Sequence, residues 1–134
     1  MWIYEGKEFD EVPPKVIGFV YNITNTLDGR QYIGKKLFNF STKKPPKKGK
    51  VRKRRVTKES DWREYYGSNE ELNADVEKLG REHFTREILY LCTTKGWCNY
   101  HEARLQFEFR VLENRDKFYN QQIRCRVHRS HLKQ

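Results

Sequence analysis

The chain has 134 residues, which suits one domain of ordinary size and is too short for two. Hydrophobic residues make up 36% of the chain and charged residues 34%, so the core is modest and the surface highly charged. No stretch approaches the roughly eighteen apolar residues that a membrane span requires, and the first residues lack the pattern of a secretory signal. A soluble, cytoplasmic protein with no membrane partner is therefore expected. Cys92, Cys98 and Cys125 are odd in number, which argues against a disulfide framework.

The positive charge is concentrated in one segment. Ten Lys or Arg residues and no acid lie between Lys43 and Lys58, and the rest of the chain has 18 basic and 18 acidic residues. The ten are Lys43, Lys44, Lys47, Lys48, Lys50, Arg52, Lys53, Arg54, Arg55 and Lys58. This composition predicts a mobile or extended arm whose partner is a polyanion, because each neutralised phosphate releases condensed counterions. A solubilising loop or a ribosome-like tail is the alternative interpretation.

The first half of the chain predicts a β-hairpin. Residues 1–14 are interpreted as a short lead-in that packs on the core. Residues 16–24 are rich in β-branched and aromatic side chains, and a tight-turn dipeptide, Asp28-Gly29, separates them from a second such run at 31–34. Residues 60–67 predict one or two helical turns.

The second half predicts a helix, a strand and another helix. The sequence Ser68-Asn69-Glu70-Glu71 is a capping box that opens a helix, and Gly80 ends it. Residues 84–92 predict the third strand, and residues from about 100 to 113 predict the second helix. The apolar side chains assigned to this helix are Ala103, Leu105, Phe107, Phe109, Val111 and Leu112.

The predicted fold class is α/β, more closely α+β, with a small three-stranded sheet, mixed or antiparallel, flanked by helices in β-β-α-β-α order. The predicted domain organisation is an N-terminal lead-in at 1–14, one domain at 15–122 with the basic insert at 37–61, and a basic tail at 123–134. We expect Arg124, Arg126 and Arg129 of this tail to contact phosphates.

The hairpin brings polar aromatics together. If Asp28 and Gly29 are its two loop residues, Tyr21 pairs with Lys36, and Tyr21, Tyr32 and Lys36 share one face. The tyrosines then lie about 13 Å apart, and Gly34 leaves a gap that a phosphodiester could approach. Two ordinary half-buried strand aromatics are the alternative.

These residues carry a family resemblance. The sequence Gly18-Phe19-Val20-Tyr21, followed eleven residues after Tyr21 by Tyr32-Ile33-Gly34, resembles the paired signature of the GIY-YIG nuclease superfamily. Arg63, the predicted strand, Glu102 and Asn120 follow in the order that such nucleases use. The resemblance covers about residues 16–122, interrupted by the insert. It is strongest to the small free-standing enzymes of bacteriophages that are related to homing endonucleases.

The resemblance implies a role for each residue type. Tyr21 would be the general base, assisted by Lys36, because a phenol with a reference pKa near 10 needs neighbouring cations to ionise. Tyr32 would orient the water or bind the phosphate. Glu102 would hold one Mg²⁺ or Mn²⁺ ion. Arg63 would clamp the phosphate next to an aromatic partner, here Tyr66 at a shifted spacing, and Asn120 would order the region of Glu102.

Each assignment has a structural alternative. Glu102 lies three residues after Asn99 and would then be part of a capping box. Arg63 would then pair with a surface carboxylate, with Arg54 or Arg55 as substitutes in the site, and Asn120 would be a turn residue. Cys125, His128 and His131 are the alternative ligands of a zinc site, but their spacing is not a standard one, and a basic tail along phosphates explains the same segment, so no zinc is expected.

The sequence thus favours a divalent-metal-dependent DNA endonuclease. A single catalytic module cuts one strand at a time, so double-strand cleavage would need a homodimer on DNA or two binding events. The second hypothesis is a nucleic-acid-binding protein that keeps the fold without the activity, and the third is a basic structural or ribosome-associated protein.

Overall fold

The architecture is α+β and is built on a mixed five-stranded sheet. The computed structural model describes residues 1–44, 48–49 and 54–133. The strand order is β2-β1-β7-β3-β4, and a separate two-stranded ribbon is formed by β5 and β6. The strands are β1 (Trp2–Tyr4), β2 (Lys7–Phe9), β3 (Gly18–Asn25), β4 (Gln31–Leu37), β5 (Asn39–Lys44), β6 (Arg54–Glu59) and β7 (Phe84–Cys92), and the helices are α1 (Glu70–Leu79) and α2 (Lys95–Glu108). Within these residues no helix has the length and apolar character to cross a membrane.

The sheet has five strands where the sequence predicted three. The two additional strands come from the segment interpreted as a lead-in, where β1 and β2 form a hairpin and β1 pairs in parallel with β7. Its turn residues Glu5 and Gly6 both have positive φ, at 51° and 80°. A Glu at such a position is not the usual Asn-Gly or Asp-Gly signal, and three-residue strands are too short to show alternation.

The β3–β4 hairpin has a longer loop than predicted, so its register differs by two residues. The loop comprises residues 26–29, since the amide of Asn25 donates to the carbonyl of Arg30. The side chain of Asn25 accepts a hydrogen bond from the Leu27 amide, which stabilises the wider loop. Tyr21 therefore lies opposite Gly34. A shift of two residues keeps every side chain on its predicted face.

The first helix and the third large strand lie as predicted. Asn69 caps α1 by accepting a hydrogen bond from the Leu72 amide, and Gly80 ends the helix with φ 102°. By contrast, α2 begins five residues earlier than predicted, because Thr94 provides the N-cap. The helix also ends five residues earlier than predicted, at Glu108. Three side chains predicted on its apolar face are exposed: Phe107, Phe109 and Leu112.

Two apolar clusters cover the two faces of the sheet. Alternation along β3 sends Phe19, Tyr21 and Ile23 into an aromatic cluster with Trp2 and Trp62. The opposite face carries the second cluster, which packs beneath α2 and consists of Val20, Ile33, Cys92, Cys98, Leu105 and Val111. Helix α2 thus lies across the β7, β3 and β4 side of the sheet. This position brings it next to the outer edge of β4.

The basic insert contributes an antiparallel ribbon. Strands β5 and β6 pair from Asn39 with Glu59 to Lys44 with Arg54. The prediction of an extended arm agrees with this pairing. Lys48 and Lys58 are exposed. Four of the predicted nucleic-acid-binding residues lie outside the described residues: Lys47, Lys50, Arg52 and Lys53.

Candidate active site

A cleft of about 720 Å³ opens at the outer edge of β4. Tyr32 and Lys35 line it from β4, Glu102 lines it from α2, and Arg124 and Arg126 line it from the C-terminal tail. Because β4 is an edge strand, side chains from both faces of the sheet reach this cleft. Glu70 and Glu71 of α1 also line the cleft, so the fold brings together three carboxylates, a phenol and three cations.

Glu102 is the least exposed of the three carboxylates in the cleft. Its side chain is 18% exposed, and its Oε1 lies 4.0 Å from the Nζ of Lys35, which also donates a hydrogen bond to Oδ1 of Asn99. Burial raises the pKa of Glu102, and Lys35 opposes this shift only in part. The capping-box alternative for Glu102 is wrong, since α2 is capped by Thr94 and both Asn99 and Glu102 lie inside the helix.

The oxygen atoms around Glu102 suit one divalent cation. Gln106 lies one turn after Glu102, is 5% exposed, and has a buried Oε1 without a hydrogen-bond partner in the described structure. Carboxylate and amide oxygens are the hard ligands that Mg²⁺ prefers, and Mg²⁺ keeps several waters rather than a full protein cage. No group of three or more His, Cys, Asp or Glu residues that could hold a metal lies among the described residues. The half-buried carboxylate of Glu102 and the unpartnered Oε1 of Gln106, one turn further along α2, are the oxygen atoms that fit such an ion.

Tyr32 presents its hydroxyl to the cleft, whereas Tyr21 does not. The hydroxyls of Tyr32 and Ser68 are 3.1 Å apart and share a hydrogen bond. Tyr21 is 1% exposed, and its ring lies 6.2 Å from the ring of Tyr32. The predicted gap at Gly34 is filled, because a Cβ at Gly34 would lie 2.5 Å from the Tyr21 hydroxyl oxygen.

The environment of Tyr21 differs from the predicted cationic one. Burial is the largest cause that raises the pKa of Tyr21 well above its ordinary value, and the neighbouring Tyr65 adds to it. Lys36 lies opposite Phe19 rather than opposite Tyr21. Its Nζ is 2.7 Å from Asp61 and 4.1 Å from the centre of the Tyr65 ring. The ammonium group is thus held by other partners.

The structure does not bring Arg63 or Tyr66 to the cleft. The Nε of Arg63 donates to Oε1 of Glu59 at 3.2 Å, and its Nη1 donates to the carbonyl of Asp10 at 2.8 Å. The ring of Tyr66 packs against the buried guanidinium of Arg86, whose Cζ is 4.2 Å from the ring centre. A single 3₁₀ turn at Trp62–Glu64, rather than a longer helix, sets these directions.

Asn120 is positioned to hold β4 rather than the helix of Glu102. Its Oδ1 accepts a hydrogen bond from the Ile33 amide at 3.0 Å, and its Nδ2 donates to the Ile33 carbonyl at 2.8 Å. Gln106 donates to the same carbonyl at 2.9 Å. Ile33 lies between Tyr32 and Gly34. Asn120 thus fixes the strand segment that carries the second half of the motif, and it links that segment to α2 through Gln106.

Most of the chain matches a known protein family. The family model described as "Putative endonuclease segE, GIY-YIG domain" matches residues 2–123. The chain belongs to the SegE GIY-YIG family. No curated protein and no solved structure matches it. The SegE match begins within the first strand of the sheet, so it includes the β1–β2 hairpin that sequence reasoning left outside the domain.

Sequence reasoning missed two polar residues of this SegE-family site. Gln106 lies four residues after Glu102, a spacing that places both on one face of a helix. Both residues lie within the helix predicted at about 100–113, so this signal is present in the sequence. Ser68 was assigned to the capping box, whereas its hydroxyl contacts Tyr32. Nothing in the local sequence indicates this contact, since the two residues belong to distant segments.

Proposed function

We propose that this protein is a divalent-metal-dependent DNA endonuclease that hydrolyses phosphodiester bonds in the cleft at the edge of β4. The observation that carries the proposal is the meeting of Glu102, Tyr32 and Lys35 with the tail arginines in one cleft. Membership in the SegE GIY-YIG family supports a nuclease. The metal, the preference for DNA and a bacteriophage origin belong to the proposal.

Glu102 is the proposed ligand of one Mg²⁺ or Mn²⁺ ion, with water and phosphate oxygens as the remaining ligands. The ion would supply positive charge to the phosphoryl oxygens and to the departing 3′ oxygen. Burial disfavours the ionised form of Glu102, and a neighbouring cation stabilises that form. Lys35 provides part of that charge in the absence of metal. The cleft is thus prepared for a cation and a polyanion together.

Tyr32 is the phenol with access to substrate. Its hydroxyl, oriented by Ser68, can donate a hydrogen bond to a phosphate oxygen or accept one from the attacking water. The resemblance assigns the general base to Tyr21, whose hydroxyl is buried and whose pKa is raised. A comparison of Tyr21→Phe with Tyr32→Phe tests this assignment. We expect the larger loss of cleavage from Tyr32→Phe.

The ribbon of β5 and β6 is the proposed contact to the DNA backbone outside the cleft. Its register places Lys43 opposite Arg55 and Lys44 opposite Arg54. Both strands of the ribbon thus carry basic residues, and a polyanion is the partner that such a density of positive charge attracts. Phosphate contacts position a protein on the duplex without reading its sequence. The ribbon should therefore increase affinity for all DNA sequences.

A nucleic-acid-binding protein without nuclease activity is the second candidate. The diversion of Arg63 to Asp10 and Glu59, and the burial of Tyr21, favour it. It predicts a gel shift of DNA without cleavage under Mg²⁺ or Mn²⁺.

Cleavage of supercoiled plasmid, with Mg²⁺ and with EDTA, tests both candidates. Glu102→Gln keeps the size of the side chain and removes its charge, so we expect at least ~100-fold slower cleavage with DNA binding retained. Glu108→Gln is the matched control, because Glu108 ends the same helix, is exposed and pairs with Arg104. DNA that is bound but never cut would contradict the nuclease and support the binding protein.

A further inference from the structure

The chain from Lys117 to the C-terminal tail runs along the edge of β4 into the cleft. Residues 117–119 pair with Gln31, where the Gln31 amide donates to the Lys117 carbonyl and the Tyr119 amide donates to the Gln31 carbonyl, both at 2.8 Å. Asn120 then binds Ile33. Four of the following residues line the cleft: Gln121, Gln122, Arg124 and Arg126. The tail is therefore attached to β4 immediately before the arginines.

The far end of the tail is attached to the first turn of α2. The indole nitrogen of Trp97 donates a hydrogen bond to the carbonyl of Lys133 at 2.9 Å. Gly96 packs directly against His131, and a Cβ at Gly96 would overlap the carbonyl oxygen of His131. A 3₁₀ turn at Arg129–His131, capped by the side chain of His128, shapes this end. The segment between the two attachments thus passes over the cleft beside α2.

The arginines of the tail are the cations available to a substrate. Three described cations line the cleft: Lys35, Arg124 and Arg126. Lys35 is committed to Asn99 and Glu102. Arg124 and Arg126 are exposed, and neither forms an ion pair within the described part of the chain. A guanidinium offers two parallel donors to a phosphate, which a lysine cannot match.

We propose that Arg124 and Arg126 bind the scissile phosphate beside Glu102, the role that the family resemblance implied for Arg63. The proposal rests on the proposed nuclease function. It assigns to the tail a task beyond contact with the DNA backbone, because the positive charge acts where negative charge develops in the transition state. Gly96 is the positioning residue of this arrangement, since it allows the tail to lie against α2.

Single-turnover cleavage at saturating protein, with Mg²⁺, tests the proposal. We expect Arg124→Ala/Arg126→Ala to cleave at least ~100-fold more slowly than the wild type at saturation. Arg124→Lys/Arg126→Lys should recover binding but little of the rate, because lysine keeps the charge without the bidentate geometry. Arg115→Ala is the matched control, since Arg115 is exposed and does not line the cleft, and it should keep the wild-type rate.

Gly96→Ala tests the position of the tail while all arginines remain. Alanine is a better helix former than glycine, so a slower rate in this variant does not come from a weaker α2. Thermal unfolding checks that the variant remains folded. The overlap with His131 should nevertheless displace the tail and slow cleavage at least ~10-fold. Wild-type cleavage by Gly96→Ala would overturn the role of this attachment.

The outcomes separate the two proposals. A wild-type protein that cleaves, together with a double alanine variant that binds more weakly but cleaves at the wild-type rate when saturated, overturns the phosphate role and leaves the nuclease intact. A wild-type protein that binds DNA and never cleaves it overturns the nuclease and this inference together. Slow cleavage at saturation in the double variant alone supports the inference.

Discussion

Replacing Asn120 by alanine should destabilise the protein strongly for the size of the side chain. Asn120 is 7% exposed, and its amide group serves both the N–H and the C=O of Ile33, which is fully buried. In the variant the Ile33 amide has no partner, which costs about 1–3 kcal/mol. The Ile33 carbonyl keeps its hydrogen bond from Gln106, so the second loss adds about 1 kcal/mol. The expected total is about 2–4 kcal/mol.

Urea unfolding followed by tryptophan fluorescence measures this change, because Trp2 and Trp62 are both buried in the core. A double-mutant cycle with Gln106→Ala sharpens it. The two side chains share one acceptor, so the double variant should lose more than the sum of the two single losses. A loss below ~0.5 kcal/mol for Asn120→Ala, or strict additivity in the cycle, would refute the assignment of Asn120 as the partner of the Ile33 peptide.

Three further changes have defined outcomes. Gly34→Ala places a Cβ 2.5 Å from the Tyr21 hydroxyl oxygen, and because Tyr21 is buried we expect a loss of about 1–3 kcal/mol by urea unfolding; an unchanged midpoint would contradict the packing. Replacing four basic residues of the insert by alanine should reduce the magnitude of the slope of log affinity against log salt concentration by up to about 3.6, and an unchanged slope would exclude the ribbon as a phosphate contact. Burial raises the pKa of Tyr119 to about 12, above the value near 10 of an unfolded chain. The contribution of the neutral phenol to the free energy of unfolding is therefore complete below about pH 10 and is lost as the pH rises through about 12. Tyr119→Phe should flatten the stability profile over this interval, and parallel profiles of the variant and the wild type would contradict the shift.

The sequence predicted the position of α1 and β7, because residues within or next to each element determine where it begins and ends. The helix α1 has a capping asparagine at one end and Gly80 at the other, and β7 has a long alternating run, so both lie where the sequence placed them. The strands β1 and β2 have three residues each and depend on pairing with β7. The start of α2 was misplaced because Asn99 and Glu102 imitate a capping box inside the helix.

The candidate site was predictable in its residue types more than in its geometry. Tyr32 and Glu102 meet in the cleft, as the family resemblance implies. Arg63 leaves the cleft because Glu59 and the carbonyl of Asp10 hold its guanidinium, and Asp10 belongs to a segment whose position the sequence did not indicate. The register of the hairpin followed from the side chain of Asn25, which widens the loop. A long-range contact thus decides the position of Arg63, whereas a local side-chain contact decides the register of the hairpin.

The position of β7 in the sheet has a consequence for synthesis on the ribosome. This strand pairs with β1 on one side and with β3 on the other, so Trp2, which pairs with Phe9 in the β1–β2 hairpin, finds its second sheet partner only at Arg86. In a nascent chain that ends before β7, the two hairpins of the five-stranded sheet, β1–β2 and β3–β4, are not yet joined, and isolated hairpins are marginally stable in water. Folding should therefore complete only after β7 leaves the ribosome, with the aromatic side chains of the first strand exposed until then.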